Sequence, residues 1–237
     1  MTFASSNMNN MTSPEVFKDV LGIGNGRYYS LDIETNTAAA RYQYANGTDS
    51  NHPSGLDPRV ASVLTVSIVG SDGSVFSLDS PNEDSLLNAT MNYLSMVRGT
   101  LVGWNINFFD LPFLCVRLGN VPKHGHNGSI WFHNQTNSTA VPKYGFPEWR
   151  NLVHHREWNS VEVVGCKVVD ISDHFKPVAE KLGVKHSLKP VAKALGLNPV
   201  EVDASEVHRL TPTERSTYCT SDAQTVLDLV DWVREND

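Results

Sequence analysis

Residues 27–34 (RYYSLDIE) set aromatic and apolar side chains around a polar break at Ser30 and end on two acids, a pattern that predicts a central β-strand. Along 60–69 (VASVLTVSIV), Val63, Thr65, Ser67 and Val69 alternate with Leu64, Val66 and Ile68, and Ser71-Asp72-Gly73 then turns into 75–78, so a hairpin is expected. The period changes at 82–98, where Leu86, Leu87, Met91, Leu94 and Val97 recur at helical spacing behind a capping Asn82 or Asp84. A short strand over 101–104 leads into a second helix from about 109 to 118. Further on come a strand near 163–170, helices at 172–182 and 187–195, the latter entered through Ser187, and a last helix beginning at Pro212. That helix runs to about 234 with Val226, Leu229, Val230 and Val233 on its buried stripe. Three strands followed by alternating helices and strands predict an α/β sheet covered by helices.

Two stretches break the pattern. Residues 1–26 are expected to be a flexible N-terminal segment: 1–13 (MTFASSNMNNMTS) are polar, with neither the basic start and apolar run of a signal peptide nor the length of a membrane span. Gly22-Ile-Gly-Asn-Gly26 precedes a strand where a phosphate loop would link a strand to a helix, so it reads as a lead-in. Residues 27–237 then form a single domain, with an insertion at about 120–161 where Gly, Pro, Asn, His and aromatic residues follow neither period. His124, His126, His133, His154 and His155 fall there without zinc-site spacing and read as solvated loop histidines. The aromatics Trp131, Phe132, Tyr144, Phe146, Trp149 and Trp158, interleaved with Lys123, Lys143, Arg150 and Arg156, read as a strand-binding flap or as packing of the insertion against the body. Three widely spaced cysteines exclude a disulfide framework and read as small buried residues. The expected setting is cytoplasmic, intracellular and soluble, with no membrane partner.

Candidate chemistry lies on three of the predicted elements. Asp32 and Glu34, at i and i+2 on a strand, project to the same side and repel unless a positive charge lies between them, for which a divalent cation is suited. Such acids can also sit solvated on an edge strand, but the flanking Tyr28, Leu31 and Ile33 place this strand centrally. Asp110 stands at a helix start, where backbone N–H groups favour an anion, as a plain cap would. Tyr218 and Asp222 lie one turn apart on one helix face. Asp170 and Asp173, near a strand end, read as structural acids.

In this order, Asp-x-Glu on a strand, Asn-x-x-x-Phe-Asp at a strand-to-helix junction and Tyr-x-x-x-Asp on a late helix resemble the three motifs of the DEDD exonuclease superfamily. The histidine subclass would carry His where this chain has Thr217, so the resemblance is to the tyrosine subclass, and within it to the proofreading exonuclease domain of B-family DNA polymerases. Asp32-Ile-Glu34-Thr looks like the first motif, Gly103-Trp-Asn105-Ile-Asn-Phe-Phe-Asp110 the second and Tyr218-Cys-Thr-Ser-Asp222-Ala the third, while 187–196 (SLKPVAKALG) resembles the run before the third. The resemblance spans roughly 27–233 and is weak at 36–58 and 120–161. It implies a ribonuclease H-like fold: a mixed five-stranded sheet with one antiparallel strand, flanked by helices. It also implies a metal-dependent 3'→5' exonuclease whose two divalent ions, Mg²⁺ or Mn²⁺, are held by Asp32, Glu34, Asp110 and Asp222. By the same resemblance Asp32 would bridge both ions, Glu34 and Asp222 would hold the one that activates water, and Asp110 would support the other through water. Tyr218 would orient the attacking water, and Asn105 and Phe109 would touch the terminal nucleotide.

The formal charge of −7 qualifies this picture, because phosphate contacts usually come from Lys and Arg. A cluster of metal-binding carboxylates accounts for part of it. The expected substrate is the 3' end of single-stranded nucleic acid, DNA favoured over RNA, with an exoribonuclease and a catalytically inactive binding or assembly module as the alternatives. Action is expected to be weak, salt-sensitive and distributive, or else delivered by a partner such as a polymerase or a single-strand-binding protein. At this length the chain leaves no room for a polymerase, so proofreading would be in trans.

Overall fold

The computed structural model describes residues 26–49, 54–118, 130–134, 159–163 and 165–235. Residues 1–25 of the expected flexible segment over 1–26 lie outside the described residues, as does most of the insertion with its clustered histidines and aromatics, Trp131, Phe132 and His133 of β5 excepted.

Strands β1 (Tyr28–Thr35), β2 (Val63–Gly70) and β3 (Val75–Asp79) come first, followed by α1 (Glu83–Leu94), β4 (Gly99–Gly103) and α2 (Asp110–Arg117). Next are β5 (Ile130–Asn134), β6 (Asn159–Val163), β7 (Cys166–Asp170), α3 (Ser172–Leu182), α4 (Leu188–Ala194), a 3₁₀ turn (Ala204–Arg209) and α5 (Pro212–Glu235). The main sheet has five strands in the order β3-β2-β1-β4-β7. β2 runs antiparallel to β1 and β3, whereas β1, β4 and β7 are parallel. A mixed sheet with one reversed strand, flanked by helices, is the ribonuclease H-like architecture that the motifs implied.

Three boundaries differ from the sequence reading. The insertion contains a regular piece: β5 and β6 pair antiparallel, Ile130 opposite Val163 and Asn134 opposite Asn159. No tight-turn signature joins them, so local pattern does not reveal their pairing. The strand expected over 163–170 is interrupted at Gly165 (φ 82°), a left-handed backbone that separates β6 from β7. The helix expected over 82–98 ends at Leu94 and is capped by Ser95. The chain must straighten to reach the sheet, and Gly99 makes this possible: a Cβ there would stand 2.2 Å from the carbonyl oxygen of Arg27. Val97 is nevertheless buried, packed on the core from the turn that follows the helix, where its N–H donates to the Leu94 carbonyl at 3.2 Å.

The sheet is covered on both faces. Tyr29, Leu31 and Ile33 of β1 pack with Val66 and Ile68 beneath Leu86, Leu87 and Leu94 of α1 and Leu111 and Leu114 of α2. On the other face Tyr28, Val69, Val102 and Val169 pack against Phe175, Val191, Ala223, Val226, Leu229 and Val230 of α3, α4 and α5. Covering both faces makes β1 a rigid central strand.

α5 is anchored at its start by a buried ion pair. Arg215 Nε donates to Asp79 Oδ2 at 2.6 Å and to Thr65 Oγ1 at 3.2 Å. Its other nitrogens donate to Asp79 Oδ1 at 3.2 Å and to the carbonyls of Val207 and Leu210 at 3.3 and 3.1 Å. Removing the cation strands a carboxylate whose side chain is 6 % exposed. Arg215→Met is therefore expected to cost about 3–5 kcal/mol in denaturant unfolding, with Asp79→Leu added to it recovering most of the loss. A cost below about 1 kcal/mol for the single variant would show that the pair does not anchor the helix.

Candidate active site

Strand alternation decides which β1 side chains face which layer. With Tyr29, Leu31 and Ile33 committed to the α1/α2 core, Ser30, Asp32 and Glu34 project to the face covered by α5. Their partners on β2 are small: Asp32 lies opposite Ser67 and Glu34 opposite Thr65. Small neighbours let the helix approach, and Ser67 Oγ meets Thr220 Oγ1 of α5 at 3.0 Å. α5 thereby brings Tyr218 and Asp222, 6 % and 8 % exposed, to the two strand acids. α2 supplies the fourth carboxylate. Asp110, its first residue, accepts the Ile33 N–H on Oδ1 at 3.2 Å, which ties the helix start to the strand between Asp32 and Glu34.

Four carboxylates share one largely buried place, and loss of solvent first, then neighbouring negative charge, raises their proton affinities. Burial first, then the charges of Glu34, Asp110 and Asp222, hold the Asp32 carboxyl well above its usual range. Burial and Asp222 push Glu34 up to about 8, with Lys189 opposing. Burial likewise pushes Asp110 to about 8, with Asp170 adding to it. Asp222 rises only to about 6, because Lys189 offsets part of the burial penalty. Tyr218 is raised too, by burial and then by Asp222, Glu34 and Asp32, so its phenol keeps its proton.

Lys189 of α4 is a member of this site that the sequence reading passed over. Its Nζ stands 3.1 Å from Asp222 Oδ2 and 3.7 Å from the centre of the Tyr218 ring. Asp222 Oδ1 is left as a buried oxygen with no hydrogen-bond partner among the described residues. Cys219 was read as a small apolar residue, yet its thiol donates to the Asp32 carbonyl at 3.3 Å. A ligand atom of Asp32, one of Glu34 and the Cys219 sulfur all lie within 4.8 Å of one another. The turn that delivers Asp110 also carries Asn105, exposed with φ 59°, and Phe109, whose ring centre is 5.4 Å from that of Phe113. Of the expected residues, then, Asp32, Glu34, Asp110, Tyr218 and Asp222 converge, and Asn105 and Phe109 flank them on one turn.

Gathered carboxylate oxygens, hard donors with raised proton affinities and one of them without a hydrogen-bond partner among the described residues, fit a divalent cation. This has a consequence for stability. These carboxyls bind protons more tightly folded than unfolded, so their contribution is fully present below about 4, where free carboxyls titrate, and is lost as pH rises through about 8. The metal-free protein is expected to melt at progressively lower temperature across that window, Glu34→Gln to flatten the decline, and Mn²⁺ to reverse it. A melting temperature of the metal-free protein that rises with pH across the window would contradict the raised affinities.

Comparison with known proteins adds family membership. The sequence model described as DNA polymerase family B, exonuclease domain, matches residues 55–191, more than half of the 237. The match includes Asp110 and Lys189 and stops short of β1 and α5, whose acids are assembled by the fold. No curated protein sequence matches. Among solved structures, the family B DNA polymerase from the hyperthermophilic archaeon Pyrobaculum calidifontis aligns with a TM-score of 0.54 at 20% identity, over 88% of this chain and 24% of that one. The chain thus spans about a quarter of that polymerase, and the likeness is one of fold. Among the described residues no helix is long and apolar enough to cross a membrane. With more than half of its length matched and its sheet of the same type, the chain belongs to the DNA polymerase family B exonuclease domain family.

Proposed function

We propose that this chain is a divalent-metal-dependent 3'→5' exonuclease that releases nucleoside monophosphates from single-stranded DNA 3' ends. The observation that carries the reading is the gathering of Asp32, Glu34, Asp110 and Asp222 in one place, close enough for the Asp32 carboxyl to feel the charge of the other three, in a chain of this family. DNA is preferred over RNA because the family is one of DNA polymerases. Asp32, Glu34 and Asp222 would hold one cation and Asp32 with Asp110 a second, Mg²⁺ or Mn²⁺ in each case. Such a pair supplies an activated water and stabilisation of the leaving 3'-oxygen.

The residues of the chain do the positioning. Lys189 occupies Oδ2 of Asp222 and leaves Oδ1 free, so the carboxylate is aimed before a cation arrives. Tyr218, under the Lys189 ammonium and protonated throughout the neutral range, has its hydroxyl beside the Asp222 carboxylate and would orient the water as a hydrogen-bonding group; it is no base. Ile33 N–H fixes one oxygen of Asp110, and Asn105 and Phe109 receive the terminal nucleotide, the ring by stacking. A carboxylate cluster of this kind is a poor choice for stability alone, and this favours an enzyme over an inactive binding module.

Digestion of 5'-labelled single-stranded DNA and RNA with Mg²⁺ or Mn²⁺ tests the reading. Wild type is expected to shorten DNA from its 3' end, and Asp32→Ala to lose about a thousandfold or more in rate, the equivalent of several kcal/mol of metal-borne stabilisation. Purified wild type that shortens neither polymer sinks the enzyme reading, and faster digestion of RNA transfers it to an exoribonuclease. Lys189→Met, which removes the charge aiming Asp222, is expected to lose about 10- to 100-fold in rate or metal affinity. Unchanged kinetics in that variant would show that the ammonium is a bystander.

A further inference from the structure

The turn between β4 and α2 is held in a conformation that its own sequence does not enforce. Asn105 is, among the described residues, the one non-glycine residue with a left-handed backbone, φ 59°. Its carbonyl accepts the N–H groups of both Phe108 and Phe109 at 2.8 Å, and Leu111 N–H closes on the Ile106 carbonyl at 3.1 Å. The attitude of Asn105 therefore sets where Phe109 and Asp110 stand.

What fixes Asn105 comes from another strand. Asp170 ends β7 opposite Gly103, the last residue of β4. Its Oδ1 accepts the Asn105 N–H at 3.0 Å, and its Oδ2 accepts the Asn107 N–H at 3.2 Å. Oδ1 also accepts the Ser172 N–H at 3.0 Å and the Ser172 hydroxyl at 2.7 Å, so the same carboxylate locks the start of α3. Two N–H groups two residues apart, pointing at the two oxygens of one carboxylate, define the turn as a template defines a cast. Only an acceptor with two equivalent oxygens satisfies both.

We infer that Asp170 is a positioning residue for the 3'-terminal nucleotide: by clamping the N–H groups of Asn105 and Asn107 it presents Asn105 and Phe109 to substrate, without itself holding metal or touching the scissile bond. The inference rests on the exonuclease reading and adds to it a residue whose loss acts on substrate capture. Ser172 separates this role from simple helix capping, because its hydroxyl contact belongs to α3 alone.

The discriminating variant is Asp170→Asn. The amide keeps one acceptor for Asn105 and Ser172 but turns a donor toward the Asn107 N–H. With a single-stranded DNA oligonucleotide and Mn²⁺, Asp170→Asn is expected to raise KM about tenfold with kcat within about threefold, the pattern of lost ground-state binding. Calorimetric Mn²⁺ affinity should be no weaker than wild type, amide exchange at Asn105 and Asn107 should quicken while β1 is unchanged, and Ser172→Ala should leave KM at the wild-type value. Should the amide variant fail to fold, Asp170→Glu, which displaces both oxygens by one methylene, is expected to show the same KM effect. An unchanged KM in a folded variant, or parallel losses in KM, kcat and Mn²⁺ affinity, overturns the clamp and leaves the exonuclease reading intact. Wild type that neither binds nor digests the oligonucleotide overturns the exonuclease reading and the clamp with it.

Discussion

Mutual repulsion among Asp32, Glu34, Asp110 and Asp222 is the interaction around which the rest of the structure is arranged. Each of these side chains is charged in water at neutral pH, and bringing them together with partial loss of solvent raises the proton affinity of every one. The fold must impose this arrangement, and it does so with elements that have little freedom to relax. β1 is central, packed on both faces, and its alternation fixes two of the acids. α5 is held against β2 and β3 by the Arg215–Asp79 pair, and α2 is tied to β1 through the Ile33 N–H. Relief comes from Lys189 on one side and, in the proposed working state, from divalent cations on the other.

The same arrangement explains an acidic protein in a family that handles nucleic acid. The negative charge that weakens phosphate contacts is partly charge that the proposed cations would neutralise, so the formal charge would overstate repulsion from the proposed nucleic-acid substrate. The division of labour is spatial as well: carboxylates gather at the end of β1, while the turn carrying Asn105 and Phe109 is governed from β7 by Asp170. In the proposed function, metal holding and strand holding would thus fall to different parts of the sheet.

Much of this was legible in the sequence where the information is local. The i, i+2 spacing of Asp32 and Glu34 on an apolar strand and the i, i+4 spacing of Tyr218 and Asp222 on a long helix each state a shared face directly. Order and motif joined them into one site and implied the mixed sheet. Contacts made across the chain were not legible. Lys189 sits in the first turn of a short helix like any solvated lysine until tertiary packing sets it against Asp222. Cys219 reads as core until its thiol meets the Asp32 carbonyl, and Asp170 reads as a strand-end acid until two N–H groups of a distant turn converge on it. The β5–β6 hairpin failed for a related reason, two short strands with no turn signal between them. Helix α1 is shorter than its pattern suggests because Val97 is buried from the turn after Leu94, and that burial keeps helical spacing in the pattern after the helix has ended.

The central claim is that Asp32, Glu34, Asp110 and Asp222 bind divalent cations in competition with protons, and calorimetric titration with Mn²⁺ in two buffers of different ionisation enthalpy tests it most directly. With Glu34 and Asp110 titrating near about 8, binding at neutral pH must expel protons, so the apparent enthalpy should depend on the buffer, and that dependence should vanish well above about 8. Asp32→Asn should weaken the binding. Tight Mn²⁺ binding with no proton release at neutral pH, or no binding at all, would contradict the account.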